Sequence, residues 1–354
     1  MGNGTGNRRQ IEMQAVHRRR KRLQERMLFL ILVMILVLFA LRIRELGRCL
    51  AQVQTTLKRI EVLQQKTEEN GAGDDAEVTE AMQTADYISR IETVDVGRPV
   101  DRTRDEAVQR LIELGQTNPV IARISQDPSL YPENMLIALA NNPEMADFVS
   151  GYPDSDKKAA GGLSDAEKKQ AFPLFLQWDP RWGYCSYGMG SNVGLSGCGP
   201  TCMSMILYYL TGNETLTPDK IANYAMDNGY YVEGTGTAWA LMKDVPGLYG
   251  VRVSEPEISE YAWREALGKG RVLICAMSAG DFTVAGHFIV IYGYDENGFM
   301  VNDPNCVARS KRRWRFDEIR GQVKMVWGYE LKGERFEEKP FQEEQVVTFV
   351  DVCG

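Results

Sequence analysis

Gly197-Cys198-Gly199-Pro200-Thr201 is the stretch that decides the fold of this chain, because it predicts the start of a buried helix. An apolar run at 202–210 follows it, and Gly212 closes the run. Pro200 suits the first helical turn, where the N–H that proline lacks would have no partner. The unpaired N–H groups and the positive end of the helix dipole favour an anion there, so Cys198 suits a reactive thiolate.

A buried, inert cysteine is the alternative interpretation of Cys198, since free cysteine is among the most buried residue types. Gly197 and Gly199 are expected to let neighbouring backbone approach the sulfur. Cys202 lies one turn further along the predicted helix and is expected to belong to the core.

The composition is that of an ordinary globular protein. Of its 354 residues 44% are hydrophobic and 25% are charged, which fits two domains or one domain with appendages. The net charge is −7, and no basic stripe with interleaved aromatic residues occurs beyond the N-terminus. We therefore expect no nucleic-acid partner.

The seven cysteines show neither a CxxC pair nor a zinc spacing, so we expect no metal and no cofactor. Their number is odd, and Cys198 is the candidate for the free thiol. Cys185 and Cys306 are candidates for a disulfide outside the cell. The chain has two histidines, and His17 lies in the basic N-terminal arm, so imidazole chemistry in the folded part must use His287.

The N-terminal region predicts one membrane span. Residues 1–26 form a basic arm, and the apolar run at 27–43 is short for the ~20 residues that a bilayer core needs, but its flanking arginines can snorkel. A cleaved secretory signal is the alternative, yet no small-x-small cleavage site follows. Because positive charge is heavier before the run, we predict an uncleaved signal-anchor in the plasma membrane, with a cytoplasmic N-terminus and an extracellular remainder.

Composition divides the rest of the chain. Residues 44–66 carry a heptad seam formed by Leu46, Leu50, Val53, Leu57 and Ile60. The seam predicts either a coiled-coil stalk, which would make a homodimer, or a single amphipathic helix. We further expect a flexible linker at 67–100, a helical subdomain at 101–153, a second linker at 154–171, the catalytic domain at 172–332 and an acidic tail at 333–354.

The predicted helical subdomain consists of short helices punctuated by prolines. Asn118-Pro119 and Asn142-Pro143 are typical helix starts, with asparagine as the cap and proline in the first turn. The segment has no histidine or cysteine, so we expect it to pack against the catalytic region and to carry no chemistry. A role in shaping a substrate groove is the alternative.

In the catalytic region helices precede strands, which predicts an α+β fold with an antiparallel sheet. After the Cys198 helix, further helices are expected at 218–228 and 237–243, the second capped by the stretch 233–237. Strands are expected at 271–277, 287–294, 299–303 and 323–331, with one more at 346–350 in the tail.

His287 opens one of these strands and Asp303 ends the next. The turn Asp295-Glu296-Asn297-Gly298 makes the strands neighbours, so the two side chains are expected to be adjacent. A carboxylate that accepts from one ring nitrogen fixes the imidazole, and the other nitrogen can take a thiol proton. The alternatives are a core histidine at His287, and Asn302 or Asn305 in place of Asp303.

Acyl transfer by a thiolate also needs donors for the developing oxyanion. Gln177, in the stretch LQWDPRWG at 176–183, is the candidate side-chain donor, and the backbone N–H of Cys198 is the second. A surface or capping role is the alternative for Gln177. Trp178 and Trp182 are expected to pack around this stretch, with a groove lining as the alternative.

These residues in this order, with the stretches LQWDPRWG, SGCGPTC, GHFIVIYGY and VNDPN, resemble the papain-like cysteine peptidases related to the bacteriocin double-glycine leader peptidases. The resemblance is to the stand-alone bacterial branch of cysteine-peptidase family thirty-nine and covers about 172–332. It implies a papain-like α+β fold in which the cysteine helix packs on an antiparallel sheet. It also implies a nucleophile at Cys198, a base and later acid at His287, an orienting carboxylate at Asp303 and an oxyanion donor at Gln177.

The resemblance and the predicted topology together indicate a membrane-anchored cysteine peptidase of the bacterial cell envelope, acting on a peptide or envelope component. The leader-processing relatives carry a transporter domain that this sequence lacks, so leader processing is not expected. One alternative is an acyltransferase or transpeptidase, in which an amine resolves the thioester. The other is a non-catalytic envelope-binding module.

Overall fold

The computed structural model describes residues 87–88, 91 and 94–333. The basic arm, the predicted span at 27–43, the predicted stalk at 44–66, most of the 67–100 linker and the strand predicted at 346–350 lie outside the described residues. Within the described part, no helix combines the length and apolar character that crossing a membrane requires.

Four short helices form the first described part of the chain, which we call the helical segment (104–151). They are α1 (Arg104–Leu114), α2 (Pro119–Gln126), α3 (Glu133–Asn141) and α4 (Ala146–Gly151), with 3₁₀ turns at Pro128–Leu130 and Pro143–Met145. The predicted caps are present: the Asn118 side chain accepts from the backbone N–H groups of Val120 and Ile121 at the start of α2. The Asn142 side chain accepts from the N–H of Glu144 at the second 3₁₀ turn.

The predicted second linker contains the short helix α5 (Asp165–Lys169). Glu167 of this helix is buried and forms an ion pair with Arg181, at 2.7 Å, and Asp179 lies on the same guanidinium at 2.6 Å. Because buried charges are stable only when they are paired and hydrogen-bonded, this cluster fixes α5 against the stretch that carries Gln177.

The cysteine helix α7 (Cys198–Thr211) follows the one-turn helix α6 (Val193–Ser196) and begins and ends as the sequence predicts. Gly212 ends it in the left-handed conformation, with φ of 67°, which glycine adopts without strain. Most of α7 is buried, so it is a central element of the core.

The next elements differ in part from the prediction. Helix α8 (Pro218–Asp227) is where it is expected, but the stretch predicted as a cap forms a hairpin of β1 (Tyr231–Val232) and β2 (Gly236–Thr237). Helix α9 (Ala240–Leu248) begins three residues late and continues through Pro246. Proline cannot donate to the Met242 carbonyl one turn before it, and the Tyr329 hydroxyl donates to that carbonyl instead, at 3.1 Å.

The remaining elements build the sheet. They are β3 (Val251–Ser254), α10 (Glu260–Gly268), β4 (Val272–Ser278), β5 (Gly286–Asp295), β6 (Gly298–Asn302), α11 (Val307–Lys311), β7 (Arg313–Trp314), α12 (Phe316–Ile319), a 3₁₀ turn at Arg320–Gln322 and β8 (Val323–Leu331). The sheet has the order β3-β8-β4-β5-β6-β7, and each neighbouring pair is antiparallel. The predicted α+β class with an antiparallel sheet is confirmed, and β3 and β7 are strands that the prediction missed.

Both faces of the sheet are covered. Along β4, Ile274 and Ala276 belong to the core that contains α7, whereas Leu273, Cys275 and Met277 belong to the core that contains Trp263 of α10. This alternation is the period of two that a strand imposes on its side chains. The architecture of a cysteine helix packed on an antiparallel sheet fits the papain-like fold that the resemblance implies.

The helical segment shares its core with α7. Phe148 of α4 is fully buried and stacks on Tyr184, with ring centroids 4.6 Å apart. It packs so closely on Gly194 that a Cβ there would lie 2.4 Å from the Phe148 ring. The segment therefore packs into the same hydrophobic core as the cysteine helix, as the sequence predicts.

Candidate active site

Cys198 is the first residue of α7, with Gly197 as the residue that caps the helix, and its side chain is partly exposed. A Cβ at Gly197 would lie 2.5 Å from the carbonyl oxygen of Val193, so the backbone approach expected there is present. At Gly199 the neighbour is instead a side chain, because a Cβ would lie 2.7 Å from Thr237 Oγ1. These two glycines let α6 and the β1–β2 hairpin close around the start of the helix.

His287 and Asp303 are brought together by the hairpin of β5 and β6. His287 is the second residue of β5, and Asp303 directly follows β6. The distance from His287 Nε2 to Asp303 Oδ1 is 2.7 Å, and Asp303 is fully buried. Because Nε2 is engaged with the carboxylate, Nδ1 is the ring nitrogen left for an exchange of a proton with Cys198, a group that interacts with His287.

The environment favours the charged form of His287. Burial alone lowers its pKa, but the negative charge and hydrogen bond of Asp303, together with the interaction with Cys198, raise the pKa of His287 to about 9. Burial alone would raise the pKa of Asp303, yet His287 and Arg309 hold that pKa below its ordinary value. An imidazolium beside Cys198 is the partner that stabilises a thiolate.

Arg309 is a site residue that the sequence does not predict. Its Nη1 atom donates to Asp303 Oδ2 at 2.9 Å, and both side chains are buried. The backbone N–H of Asn305 donates to Asp303 Oδ1, also at 2.9 Å. The Asp303 carboxylate thus accepts hydrogen bonds from His287, Arg309 and the backbone of Asn305. No local sequence pattern distinguishes Arg309 from its basic neighbours Lys311 and Arg312, so the sequence alone does not reveal this role.

The predicted alternatives to Asp303 have other roles. The side chain of Asn302 donates to the carbonyl of Pro173 at 3.0 Å, and Asn305 contributes its backbone to Asp303. His287 is therefore oriented by the aspartate and not by either asparagine.

Gln177 is buried beside the same loop. Its backbone N–H donates to the carbonyl of Pro304 at 2.7 Å, and its side-chain Nε2 donates to the carbonyl of Gly194 at 2.9 Å. A primary amide has two N–H bonds, so the second one is left for another acceptor. Among the described residues, Gln177 Oε1 has no hydrogen-bond partner.

A cleft of ≈ 870 Å³ joins the predicted residues, since Gln177, Cys198 and His287 all line it. Its other walls include Asn134, Ile137 and Asn141 of α3; Tyr231, Glu233 and Thr237 of the hairpin; and the stretch 282–285 before β5. Exposed apolar side chains stand at its edge, namely Met189, Trp239 and Val284. The helical segment thus contributes to the groove, which is the alternative role predicted for it.

The other described cysteines are more deeply buried than Cys198. Cys185, Cys202, Cys275 and Cys306 are buried, and burial raises the pKa of each thiol. Cys185 and Cys306 are free, so the disulfide considered for this pair is not formed. Cys202 lies in the core as predicted, and Trp178 and Trp182 are fully buried and pack there too.

Comparison with known proteins gives one family match. Residues 169–332 match the family model described as Peptidase_C39 like family. The predicted resemblance to this peptidase family is confirmed over that part of the chain. A search of curated proteins gives no match.

Two solved structures are similar to part of the chain. The peptidase domain of Streptococcus ComA, described as a bi-functional ABC transporter involved in a quorum sensing pathway, is 15% identical, with 38% of this chain and 90% of that chain covered and a TM-score of 0.31. A putative C39-like peptidase from Bacillus anthracis is 14% identical, with 38% and 88% covered and a TM-score of 0.27.

Proposed function

We propose that residues 172–332 form a papain-like cysteine peptidase that hydrolyses peptide or amide bonds through a thioester on Cys198. The observation that carries the proposal is the position of His287, which is hydrogen-bonded to Asp303, interacts with Cys198 and lines one cleft together with Cys198 and Gln177. The match of residues 169–332 to a peptidase family supports the same chemistry.

In the first step, the Cys198 thiolate attacks the substrate carbonyl carbon. The imidazolium of His287 then donates its proton to the leaving amine, and the acyl group stays on sulfur as a thioester. Asp303 remains ionised throughout and holds the ring in place by its 2.7 Å hydrogen bond to Nε2.

The oxyanion of the tetrahedral intermediate needs two donors. As the first residue of α7, Cys198 has a backbone N–H without an acceptor inside the helix. The second N–H of the Gln177 amide is the side-chain donor that we assign, because its first N–H is held by Gly194.

In the second step, water replaces the amine. Neutral His287 takes a proton from the water, whose oxygen attacks the thioester carbon, and the thiolate leaves as the acid product is released. The cleft is bordered by α3 and the hairpin, and we assign a polypeptide segment to it as the substrate class.

The cellular setting of this activity rests on the sequence. The basic arm and the apolar run at 27–43 support a single-pass anchor, with the peptidase on the extracytoplasmic side of a bacterial membrane and an envelope peptide as substrate.

The proposal is tested by comparing the full chain with its Cys198→Ala variant on a peptide library, with product masses as the readout. We expect cleaved peptides with free carboxylates from the wild type and none from the variant. Added amine separates the two reaction types, because only a transferase gives an amine adduct in water. Equal cleavage by wild type and variant would refute the assignment.

A further inference from the structure

We propose that Glu144, in the helical segment, is a positioning residue of the active site, which holds helix α11 and through Arg309 fixes the carboxylate of Asp303. This inference rests on the proposed function and extends it to a part of the chain outside the family match at 169–332.

Glu144 is bonded to the start of α11 by both of its carboxylate oxygens. Oε2 accepts from the backbone N–H of Val307 at 2.7 Å, and Oε1 accepts from that of Ala308 at 2.9 Å. The residue is 6% exposed, and burial raises the pKa of its carboxyl. Because a buried carboxylate is costly unless its oxygens are bonded, the pair of bonds admits one position of α11 relative to Glu144.

Helix α11 carries the group that meets the catalytic aspartate. Arg309 is its third residue, and its backbone N–H donates to Cys306 Sγ at 3.4 Å. Its guanidinium donates to Asp303 Oδ2 at 2.9 Å, while Asp303 Oδ1 holds His287. A shift of α11 would therefore move the guanidinium, rotate the carboxylate and loosen the imidazole.

A second contact ties the same loop to the same segment. The Asn142 side chain donates to the carbonyl of Asn305, and Trp178 Nε1 donates to that carbonyl at 3.0 Å. The N–H of Asn305 is one of the three donors to Asp303. Residues two positions apart in the helical segment thus hold both sides of the loop 303–309.

The arrangement is specific to a carboxylate at position 144. In the variant Glu144→Gln, one carboxylate oxygen becomes an NH₂ group, which cannot accept from the backbone N–H that faces it. One hydrogen bond is lost, and the new NH₂ group faces a backbone N–H, so that two donors repel each other. The hold of residue 144 on α11 is therefore weakened while the side-chain volume is kept.

The expected effect is on the chemical step. We expect Glu144→Gln to lower kcat about ten-fold and to change KM less than about two-fold. A loss of about ten-fold is the lower end of the range seen when a supporting hydrogen bond in an active site is removed. The matched control is Asp147→Asn, an exposed carboxylate three residues further on, which should retain wild-type values.

A measurement without substrate separates this inference from the proposed function. The rate of Cys198 alkylation by iodoacetamide is followed against pH, with the adduct located by mass spectrometry. The groups that face His287 are Cys198 and Asp303, with Arg309 and Glu144 beyond the aspartate. Because Asp303 supports the imidazolium, and the imidazolium in turn stabilises the thiolate, Glu144→Gln should move the rise of this profile to higher pH.

A double-mutant cycle with Arg309→Lys tests whether the two residues act through one element. If Glu144 acts through Arg309, the fold-loss of kcat in the double variant is smaller than the product of the fold-losses in the two single variants. Additive effects, or a folded Glu144→Gln variant with the kcat and alkylation profile of Asp147→Asn, would overturn the proposal. Should Glu144→Gln not fold, Asn142→Ala is judged by the same two assays and the same criteria.

Discussion

The helical segment (104–151) and the family-matched region (169–332) differ in the residues that they contribute to one site. The family-matched region holds Gln177, Cys198, His287 and Asp303, whereas the helical segment has no cysteine and no histidine. Yet the helical segment supplies a wall of the cleft through α3 and two hydrogen-bonding side chains to the loop that carries Asp303. The residues of the proposed chemistry and some of the residues that hold them therefore come from different parts of this chain.

The largest expected effect removes the nucleophile from the family-matched region. Cys198→Ala should lower kcat/KM by at least about 10³-fold, because no other described thiol faces the cleft beside His287. The measurement is peptide hydrolysis by the full chain. Cys185→Ala, which removes a buried thiol outside the cleft, is the control and should stay active. An equal loss of activity in Cys185→Ala would contradict the assignment of Cys198 as the nucleophile.

A smaller loss of activity is expected when Asp303, whose loop is held by residues of both regions, loses its charge. Asp303→Asn keeps the shape but loses the charge that orients and supports the imidazolium, so kcat should fall roughly 10²-fold or more. The alkaline limb of the pH–rate profile should also move to lower pH. Asp317→Asn, an exposed carboxylate, serves as the comparison, and equal profiles of the two variants would contradict the role of Asp303.

Stability tests the shared core of the two regions. Phe148→Ala deletes a fully buried ring that packs on Gly194 and Tyr184, and should lower the free energy of unfolding by about 3–5 kcal/mol. Leu130→Ala, at an exposed position of the same segment, should stay within about 0.5 kcal/mol. Denaturant unfolding followed by tryptophan fluorescence should show one transition. A separate transition for the helical segment would contradict a core shared by the two regions.

The pH dependence of stability tests the ion pair of His287 and Asp303. The pKa of His287 is raised from 6.5 to about 9, so the pair stabilises the fold fully below pH 6.5 and this contribution is lost as the pH rises through about 9. His287→Gln should therefore show a smaller loss of unfolding free energy between these values than the wild type. Parallel curves from chemical denaturation at each pH would contradict the raised pKa.

The smallest expected effect lies on the α3 wall of the cleft. Asn134→Ala should change KM by about two- to ten-fold and leave the alkylation of Cys198 unchanged, because the side chain lines the cleft from α3, a helix that carries none of the proposed triad. Glu133→Gln, its exposed neighbour outside the cleft, is the control. A fall in kcat at constant KM would instead assign α3 to the chemistry.

Local patterns in the sequence predicted much of the family-matched region. The start of α7, the four longer strands and the adjacency of His287 and Asp303 depend on glycine, proline and period-two signals that act over a few residues. The tight turn at 295–298 fixed which strands are neighbours, so the histidine–aspartate pair could be found without knowledge of the whole fold.

Long-range packing set what the sequence did not reveal. The bonds from Glu144 to α11 join positions more than 160 residues apart. The extension of α9 through Pro246 depends on the hydroxyl of Tyr329, which lies 87 residues away from the carbonyl that it satisfies. The stretch 233–237, interpreted as a helix cap, forms a hairpin that closes over Gly199. None of these contacts leaves a periodic or local signal.

The most direct test of the central claim is the labelling of the full chain with a thiol-directed peptidyl acyl probe near pH ~6, well below the ordinary thiol pKa of ~8.5. Labelled peptides are located by mass spectrometry in the wild type and in His287→Gln. The account predicts rapid, selective labelling of Cys198 in the wild type and its loss in the variant, because the thiolate is held by the imidazolium. Equal labelling of Cys198 in both proteins, or none in either, would contradict it.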